Sequence, residues 1–284
     1  MRIISYCIIY FLMPAGVHSQ QRIYFNEASS AAALMDQACC TAKLPNGEGV
    51  EFNIDAPSLE YYKPDNANGT AVMLIPGGGL YALLSDSEGS KIASWLTARG
   101  VSVFLLRHSL KKSLTNNPVQ DIFKYFSLQS DYIKVLNDPI FAKAAADASD
   151  ALKYIRRCTF EYNIDPEKIG IMGFSTGAAI AFELQKSYSK GGYARPGFII
   201  SINGFSNNGK TLFPSAAGSV FLSSISVTAL HESAQSSKLF EKLNASYIDV
   251  ELHIFETSFE ESPGAEDWKQ SLEMWMKKHQ LCQG

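Results

Sequence analysis

The stretch that decides the fold runs from residue 168 to residue 187 and reads KIGIMGFSTGAAIAFELQKS. Its first part, Lys168 to Phe174, is a mostly apolar run that predicts a strand, and the part from Ser175 to Ser187 predicts a helix. Between them stands Gly173-Phe174-Ser175-Thr176-Gly177, a G-x-S-x-G motif. A strand-to-helix turn is the context in which this motif presents a nucleophilic serine. The stretch therefore predicts a nucleophile elbow with Ser175 at its tip.

The glycines on either side of Ser175 have a steric explanation. The elbow requires glycine at Gly173 and Gly177, because side chains there would collide with the neighbouring strand and helix. The helix that begins at the elbow offers the Thr176 N–H and the positive end of its dipole to a developing oxyanion.

A second glycine-rich turn, Pro76-Gly77-Gly78-Gly79, follows the apolar run Ala71 to Ile75. Glycines allow backbone N–H groups to approach a ligand atom closely. The carboxyl ends of parallel strands meet at one sheet edge, so this turn and the elbow should lie together. We expect the N–H groups of Gly78, Gly79 and Thr176 to form an oxyanion hole.

Strand and helix patterns alternate along the chain and predict an α/β fold, with a mostly parallel central sheet covered by helices on both faces. A strand at Leu59 to Lys63 could pair with an amphipathic strand at Val50 to Ile54. The predicted organisation is a signal peptide at 1–19, an N-terminal lead-in segment at 20–48 and one α/β domain at 49–284. Other predicted strands are 101–106, 197–202, 219–225 and 248–255, and other predicted helices are 88–99, 141–160, 234–244 and 266–278.

The N-terminal residues have the order of an export signal. Arg2 precedes a short apolar run from Ile3 to Met13, and Val17-His18-Ser19 leads to a cleavage site before Gln20. We expect a secreted or periplasmic protein, without a membrane span in the mature chain.

Composition narrows the class of partner. The 284 residues are 46% hydrophobic and carry a net charge of -3, which favours one large core and disfavours nucleic acid as a partner. The mature cysteines would be Cys39, Cys40, Cys158 and Cys282, and no pair has C-x-x-C spacing. One of the adjacent Cys39 and Cys40 could pair with Cys158 or Cys282, but the connectivity stays open. No metal or cofactor is predicted.

Two stretches carry a family resemblance. They are PGGGLYALLSDSEGSKIASWLTARGVSVFLLRHSL at 76–110 and IDPEKIGIMGFSTGAAIA at 164–181. They resemble the secreted esterase and lipase branch of the α/β-hydrolases, which includes acetylxylan-esterase-like carbohydrate esterases. The resemblance covers roughly residues 59 to 280 and implies an α/β-hydrolase fold with Ser175 as nucleophile. It also implies a small-molecule or carbohydrate ester as the partner.

The chain departs from that family where the acid and the base are expected. The family places an Asp after the strand at 219–225, but residues 226–232 contain none. The family's His would fall near Glu260, and no His is there. Glu260 could act as a base only if burial raised its pKa. His231, beside Glu232, follows the strand that normally presents the acid and is the other candidate base.

Two functions remain open at this point. The first is an exported serine esterase that removes acetyl or similar small acyl groups from carbohydrate, using Ser175 and an unusual base. The second is a catalytically degenerate hydrolase (a pseudoenzyme) that binds a glycan or an ester. The missing Asp and His favour the second, and the complete elbow and glycine turn favour the first.

Overall fold

The computed structural model describes residues 22–25, 40–113, 119–120, 132–187, 195–206, 218–226, 230–256 and 267–283. The predicted signal peptide at 1–19 and Glu260 lie outside the described residues.

An eight-stranded sheet forms the centre of the molecule, in the order β1-β4-β7-β5-β8-β9-β10-β11. The pairs β1–β4 and β4–β7 are antiparallel, and every other neighbouring pair is parallel. Several central strands are apolar throughout because both faces of the sheet are covered. The strands of this sheet are β1 (Arg22–Ile23), β4 (Ser58–Tyr62), β5 (Ala71–Ile75), β7 (Ser102–Arg107), β8 (Ile169–Phe174), β9 (Phe198–Ile202), β10 (Ser219–Ser226) and β11 (Val250–Glu256).

A small antiparallel sheet lies in the order β2-β3-β6, with β2 at Cys40–Lys43, β3 at Gly49–Phe52 and β6 at Ala82–Leu84. The expected pairing of the strand at Leu59 to Lys63 with the strand at Val50 to Ile54 is wrong. The observed β4 pairs with β1 and β7 in the large sheet instead, and β3 takes β2 and β6 as its neighbours. Strand pairing joins residues far apart in sequence, so local alternation does not determine it.

Six α-helices are described: α1 (Lys91–Thr97), α2 (Tyr132–Leu136), α3 (Pro139–Arg157), α4 (Thr176–Ser187), α5 (Leu230–Ala245) and α6 (Asp267–Lys278). A π-helical turn, Ser85–Ser90, leads directly into α1, and a 3₁₀ turn at Pro166–Lys168 precedes β8. Asp138 caps α3, because its side chain accepts a hydrogen bond from the Ile140 N–H at 3.0 Å. No helix among the described residues is long and apolar enough to span a membrane.

Buried side chains form a separate core on each face of the large sheet. One core joins β5 and β8 to α3 and α4, and the other joins the same sheet to α1 and α6. The segment predicted as a lead-in contributes to this architecture. Its β1 extends the large sheet, Phe25 is buried in the first core, and β2 extends the small sheet.

Candidate active site

The elbow around Ser175 has the strained geometry that its sequence predicts. Ser175 has a φ of 48°, in the left-handed region, and its N–H donates a hydrogen bond to the Ile202 carbonyl at 2.8 Å. A β-carbon added at Gly173 would lie 2.4 Å from the Ala178 nitrogen, and one at Gly177 would lie 2.1 Å from the Ile75 carbonyl oxygen. Only glycine fits at either position, so the backbone can turn sharply and leave Ser175 half-buried at the sheet edge.

The turn Pro76-Gly77-Gly78-Gly79 also has a backbone conformation that favours glycine. Gly78 has a φ of 133° and Gly79 a φ of 65°. A β-carbon at Gly78 would lie 2.0 Å from the Ala82 carbonyl oxygen. The turn is closed by hydrogen bonds from the N–H groups of Tyr81 and Ala82 to the Gly78 carbonyl, at 3.1 and 3.2 Å.

Three backbone N–H groups are available at this edge. Among the described residues, none accepts a hydrogen bond from the Gly78 or Gly79 N–H. Thr176 is the first residue of α4, where an N–H has no acceptor within the helix. The two glycine turns are adjacent, since Gly77 and Ser175 approach one another closely: a β-carbon at Gly77 would lie 3.2 Å from the Ser175 β-carbon. This arrangement is able to stabilise negative charge that develops on a carbonyl oxygen.

A buried carboxylate lies beside both turns. The Gly77 N–H donates a hydrogen bond to Glu88 Oε2 at 2.6 Å. Burial raises the pKa of Glu88 to about 7, the hydrogen bond from Gly77 opposes this rise, and the charge of Glu48 adds to it. Sequence reasoning missed Glu88 as a functional candidate. Its only signal was its place in the stretch 76–110, which carries the family resemblance.

The end of β9 lies beside the elbow and is held by Asn203, which sequence reasoning also missed. Asn203 has a φ of 50°, and its N–H donates to the Ser223 carbonyl at 2.8 Å. Its side-chain Oδ1 accepts a hydrogen bond from the Ile225 N–H at 2.6 Å. These two contacts fix the ends of β9 and β10 next to Ser175.

The two candidate bases stay predictions. His231 is the second residue of α5, which begins four residues after the end of β10. Its backbone is therefore at the carboxyl end of the sheet, where the elbow also lies. Glu260 belongs to the segment after β11 that the structure does not describe.

The other described histidines serve packing. His108 follows β7 but is only 1% exposed, its Nδ1 lies 2.9 Å from the Ser109 carbonyl oxygen, and burial lowers its pKa. His253 stacks on Phe221 and His279 packs on Trp275, and both of these aromatic residues belong to the second core. None of these three is placed by a described contact at the elbow.

The described cysteines and potential metal ligands add no further centre. Cys158 and Cys282 are free thiols whose pKa values burial raises. The side chains of Cys39 and Cys40 lie outside the described residues. Within the described ranges, no cluster of three or more His, Cys, Asp or Glu side chains could hold a metal ion.

Known proteins resemble this chain both in sequence and in fold. A family model named BD-FAE matches residues 106–190, which include the elbow. An acetylxylan esterase of Xylanibacter ruminicola is 28% identical over 120 residues, covering 42% of this chain and 20% of that protein. Endo-1,4-beta-xylanase B of Butyrivibrio fibrisolvens is 29% identical over 140 residues, covering 47% of this chain and 18% of that protein. The alignments thus span about a fifth of the length of these curated relatives.

The fold is shared over a much larger part of the chain. The crystal structure of an acetyl ester-xyloside bifunctional hydrolase from Caldicellulosiruptor lactoaceticus superposes with a TM-score of 0.65 at 18% identity. The superposition covers 95% of this chain and all of that one. The protein is an α/β-hydrolase in fold, as the sequence predicts. One of the sequence relatives has the name acetylxylan esterase.

Proposed function

We propose that this protein is a serine esterase that removes acetyl or similar small acyl groups from carbohydrate. The observation that carries the proposal is the strained backbone of Ser175 beside the available N–H groups of Gly78, Gly79 and Thr176. A left-handed serine between two obligatory glycines costs about 1–3 kcal/mol, and such strain is typically retained at functional sites.

The reaction would proceed through an acyl-enzyme. Ser175 Oγ attacks the acyl carbon while its proton passes to a base, and the three N–H groups hold the resulting oxyanion. Collapse of the intermediate breaks the ester C–O bond, and the departing sugar oxygen takes up the proton from the base and leaves as a hydroxyl. Water then attacks the acyl-enzyme by the same route, releases the carboxylic acid and restores Ser175. The proposed bases are His231 and, if its pKa is raised, Glu260.

The names of two relatives support the proposed substrate class. One has the name acetylxylan esterase and another the name xylanase, so an acetylated sugar is the proposed substrate. We further propose that the chain acts outside the cytoplasm, since Arg2 and the apolar run after it have the pattern of an export signal. The intact mass of protein recovered outside the cell tests this directly, with cleavage before Gln20 as the expected result.

The first prediction concerns hydrolysis of 4-nitrophenyl acetate and acetate release from acetylated xylo-oligosaccharides. Ser175→Ala should lower kcat by at least about 10³-fold, because the nucleophile is lost. Ser94→Ala removes an exposed hydroxyl on α1 and should leave the rate unchanged. His231→Ala and Glu260→Gln, with folding checked by circular dichroism, would then identify the base.

Equal, background-level rates in the wild type and Ser175→Ala would overturn the proposal. The pseudoenzyme would then be the better interpretation, and the same oligosaccharides should bind without being hydrolysed. Weak turnover alone would not decide the matter, because an oxyanion hole and substrate binding can give roughly 10³-fold acceleration without a complete triad.

A further inference from the structure

Glu88 lies on the π-helical turn Ser85–Ser90, which is tied to the start of β3. The Gly49 N–H donates a hydrogen bond to Asp86 Oδ2 at 2.9 Å, and Ser85 Oγ donates one to the Gly49 carbonyl at 3.1 Å. Asp86 therefore anchors the turn, and Glu88, on the same turn, reaches the Gly77 N–H on its other side. π-helical turns inside helices are frequent at functional sites.

The space beside Gly77 brings Glu88 close to the nucleophile. A β-carbon added at Gly77 would lie 3.0 Å from Glu88 Oε2 and 3.2 Å from the Ser175 β-carbon. Glu88 Oε2 is therefore no more than about 6 Å from the Ser175 β-carbon. The same added atom would lie 3.1 Å from the Phe174 carbonyl oxygen, so Gly77 fits closely between the carboxylate and the elbow.

Both polar groups of Gly77 are held. Its N–H donates to Glu88, and its carbonyl accepts a hydrogen bond from the Leu84 N–H at 3.2 Å. The next two residues, Gly78 and Gly79, have positive φ values and no side chains to fix them. The orientation of their N–H groups thus depends on how firmly the peptide before them is held.

We propose that Glu88 is a positioning residue of the catalytic centre, whose carboxylate holds the Gly77 peptide so that the Gly78 and Gly79 N–H groups face the oxyanion above Ser175. This inference rests on the proposed esterase function and assigns a task to a residue that does not touch the substrate. A charge-assisted hydrogen bond is about twice as strong as a neutral one, so the ionised carboxylate holds the loop best.

The surroundings of Glu88 make its hydrogen bond with the Gly77 N–H sensitive to pH. Glu48 faces it from the loop before β3, and Asp86 shares its turn. The elbow presents the neutral Phe174 carbonyl and Ser175. Because the pKa of Glu88 is raised to about 7, the carboxylate becomes ionised, and the hydrogen bond strengthens, as the pH rises through 7.

The second prediction compares kcat and KM for 4-nitrophenyl acetate. Glu88→Ala should lower kcat by roughly 10- to 100-fold with little change in KM, because an oxyanion donor that is misplaced loses part of its usual 10²–10³-fold effect. Glu88→Gln keeps a neutral acceptor for the Gly77 N–H and should retain most of kcat. The rise of kcat near pH 7 should be smaller in Glu88→Gln than in the wild type.

Asp165→Asn is the matched control. Asp165 is an exposed carboxylate that also accepts a backbone N–H, that of Glu167 at 2.9 Å, before the start of β8. It should leave kcat within about twofold, since no oxyanion donor depends on it. Thermal unfolding of each variant separates loss of folding from loss of rate.

The outcomes are distinct. An unchanged kcat in Glu88→Ala would overturn the positioning role, and so would a Glu88→Gln variant as inactive as Ser175→Ala, which would make Glu88 the base. If the wild type has no turnover dependent on Ser175, the esterase proposal fails by itself. The chemical shift of the Gly77 amide proton then tests the role of Glu88. A shift that changes with pH near 7 in the wild type but not in Glu88→Gln supports the hydrogen bond from Gly77 to the Glu88 carboxylate. A shift that does not change with pH in the wild type overturns it.

Discussion

Ser175 and Glu88 show the same conflict between stability and chemistry at the scale of single residues. The Ser175 backbone is held at a φ of 48°, where a non-glycine residue is strained. Glu88 is held in surroundings that raise its pKa to about 7, so its ionised form is disfavoured by folding. Both costs are explained if the site needs an exposed hydroxyl and a firmly held glycine turn.

The third prediction follows from the raised pKa of Glu88. A carboxyl whose pKa is higher in the folded than in the unfolded chain stabilises the fold below its unfolded pKa of 4.5, and that contribution is lost as the pH rises to about 7. Glu88→Gln should therefore raise the free energy of unfolding at pH 8 by about 3 kcal/mol and change it little at pH 4. Urea unfolding at the two pH values measures this.

Asp165→Asn again provides the comparison, because it makes the same carboxylate-to-amide change at an exposed position. A Glu88→Gln variant that gains equally at both pH values would contradict the raised pKa. A gain at pH 8 together with a lower kcat would instead be the usual exchange of activity for stability at a functional site.

At the scale of elements, the small sheet is joined to the large one by a buried ion pair. Arg107, at the end of β7, donates from Nε to Glu51 Oε2 of β3 at 2.5 Å and from Nη1 to Ser58 Oγ of β4 at 3.1 Å. Arg107 is 1% exposed and Glu51 7% exposed. Since β3 also pairs with β6, which follows the Gly78 turn, this ion pair helps to set the position of that turn.

The fourth prediction is that Glu51→Ala lowers the free energy of unfolding by about 3–5 kcal/mol, because it leaves the Arg107 charge buried without its carboxylate. Asp55→Ala removes a carboxylate from an exposed ion pair with Lys112 and should cost less than about 1 kcal/mol. Urea unfolding at pH 7 compares the two. Similar losses in both variants would contradict the importance of burial at Arg107.

Local sequence predicted the elements that have a strong local pattern. The apolar runs of β5 and β8 and the long helix α3 were found within a few residues of their observed bounds. The elbow was found because its steric demands fall on neighbouring residues. The three-residue strand β6 has no periodic signal, and the partners of β4 lie far away in the chain. The role of Glu88 was missed for the same reason, since it depends on a contact with Gly77, eleven residues earlier.

At the scale of the whole molecule, the N-terminal segment belongs to the folded unit. β1 pairs with β4 through Arg22 and Ile23, and Phe25 is 4% exposed in the core that also contains Leu59 and Met73. A terminal segment with paired backbone and a buried aromatic ring is not dispensable. We therefore propose that the domain extends upstream of Gly49, where the regular pattern of the sequence begins.

The fifth prediction tests this with two chemically identical changes. Phe25→Ala should lower the free energy of unfolding by about 3–5 kcal/mol, because it removes a buried ring and leaves a cavity. Phe160→Ala removes a fully exposed ring and should change it by no more than about 0.5 kcal/mol. A chain that begins at Gly49 should be less stable than Phe25→Ala, since it also loses β1 and β2 and leaves the edges of β4 and β3 unpaired. Equal melting temperatures for the Gly49 start and a Gln20 start would show that the hydrolase domain folds without these strands.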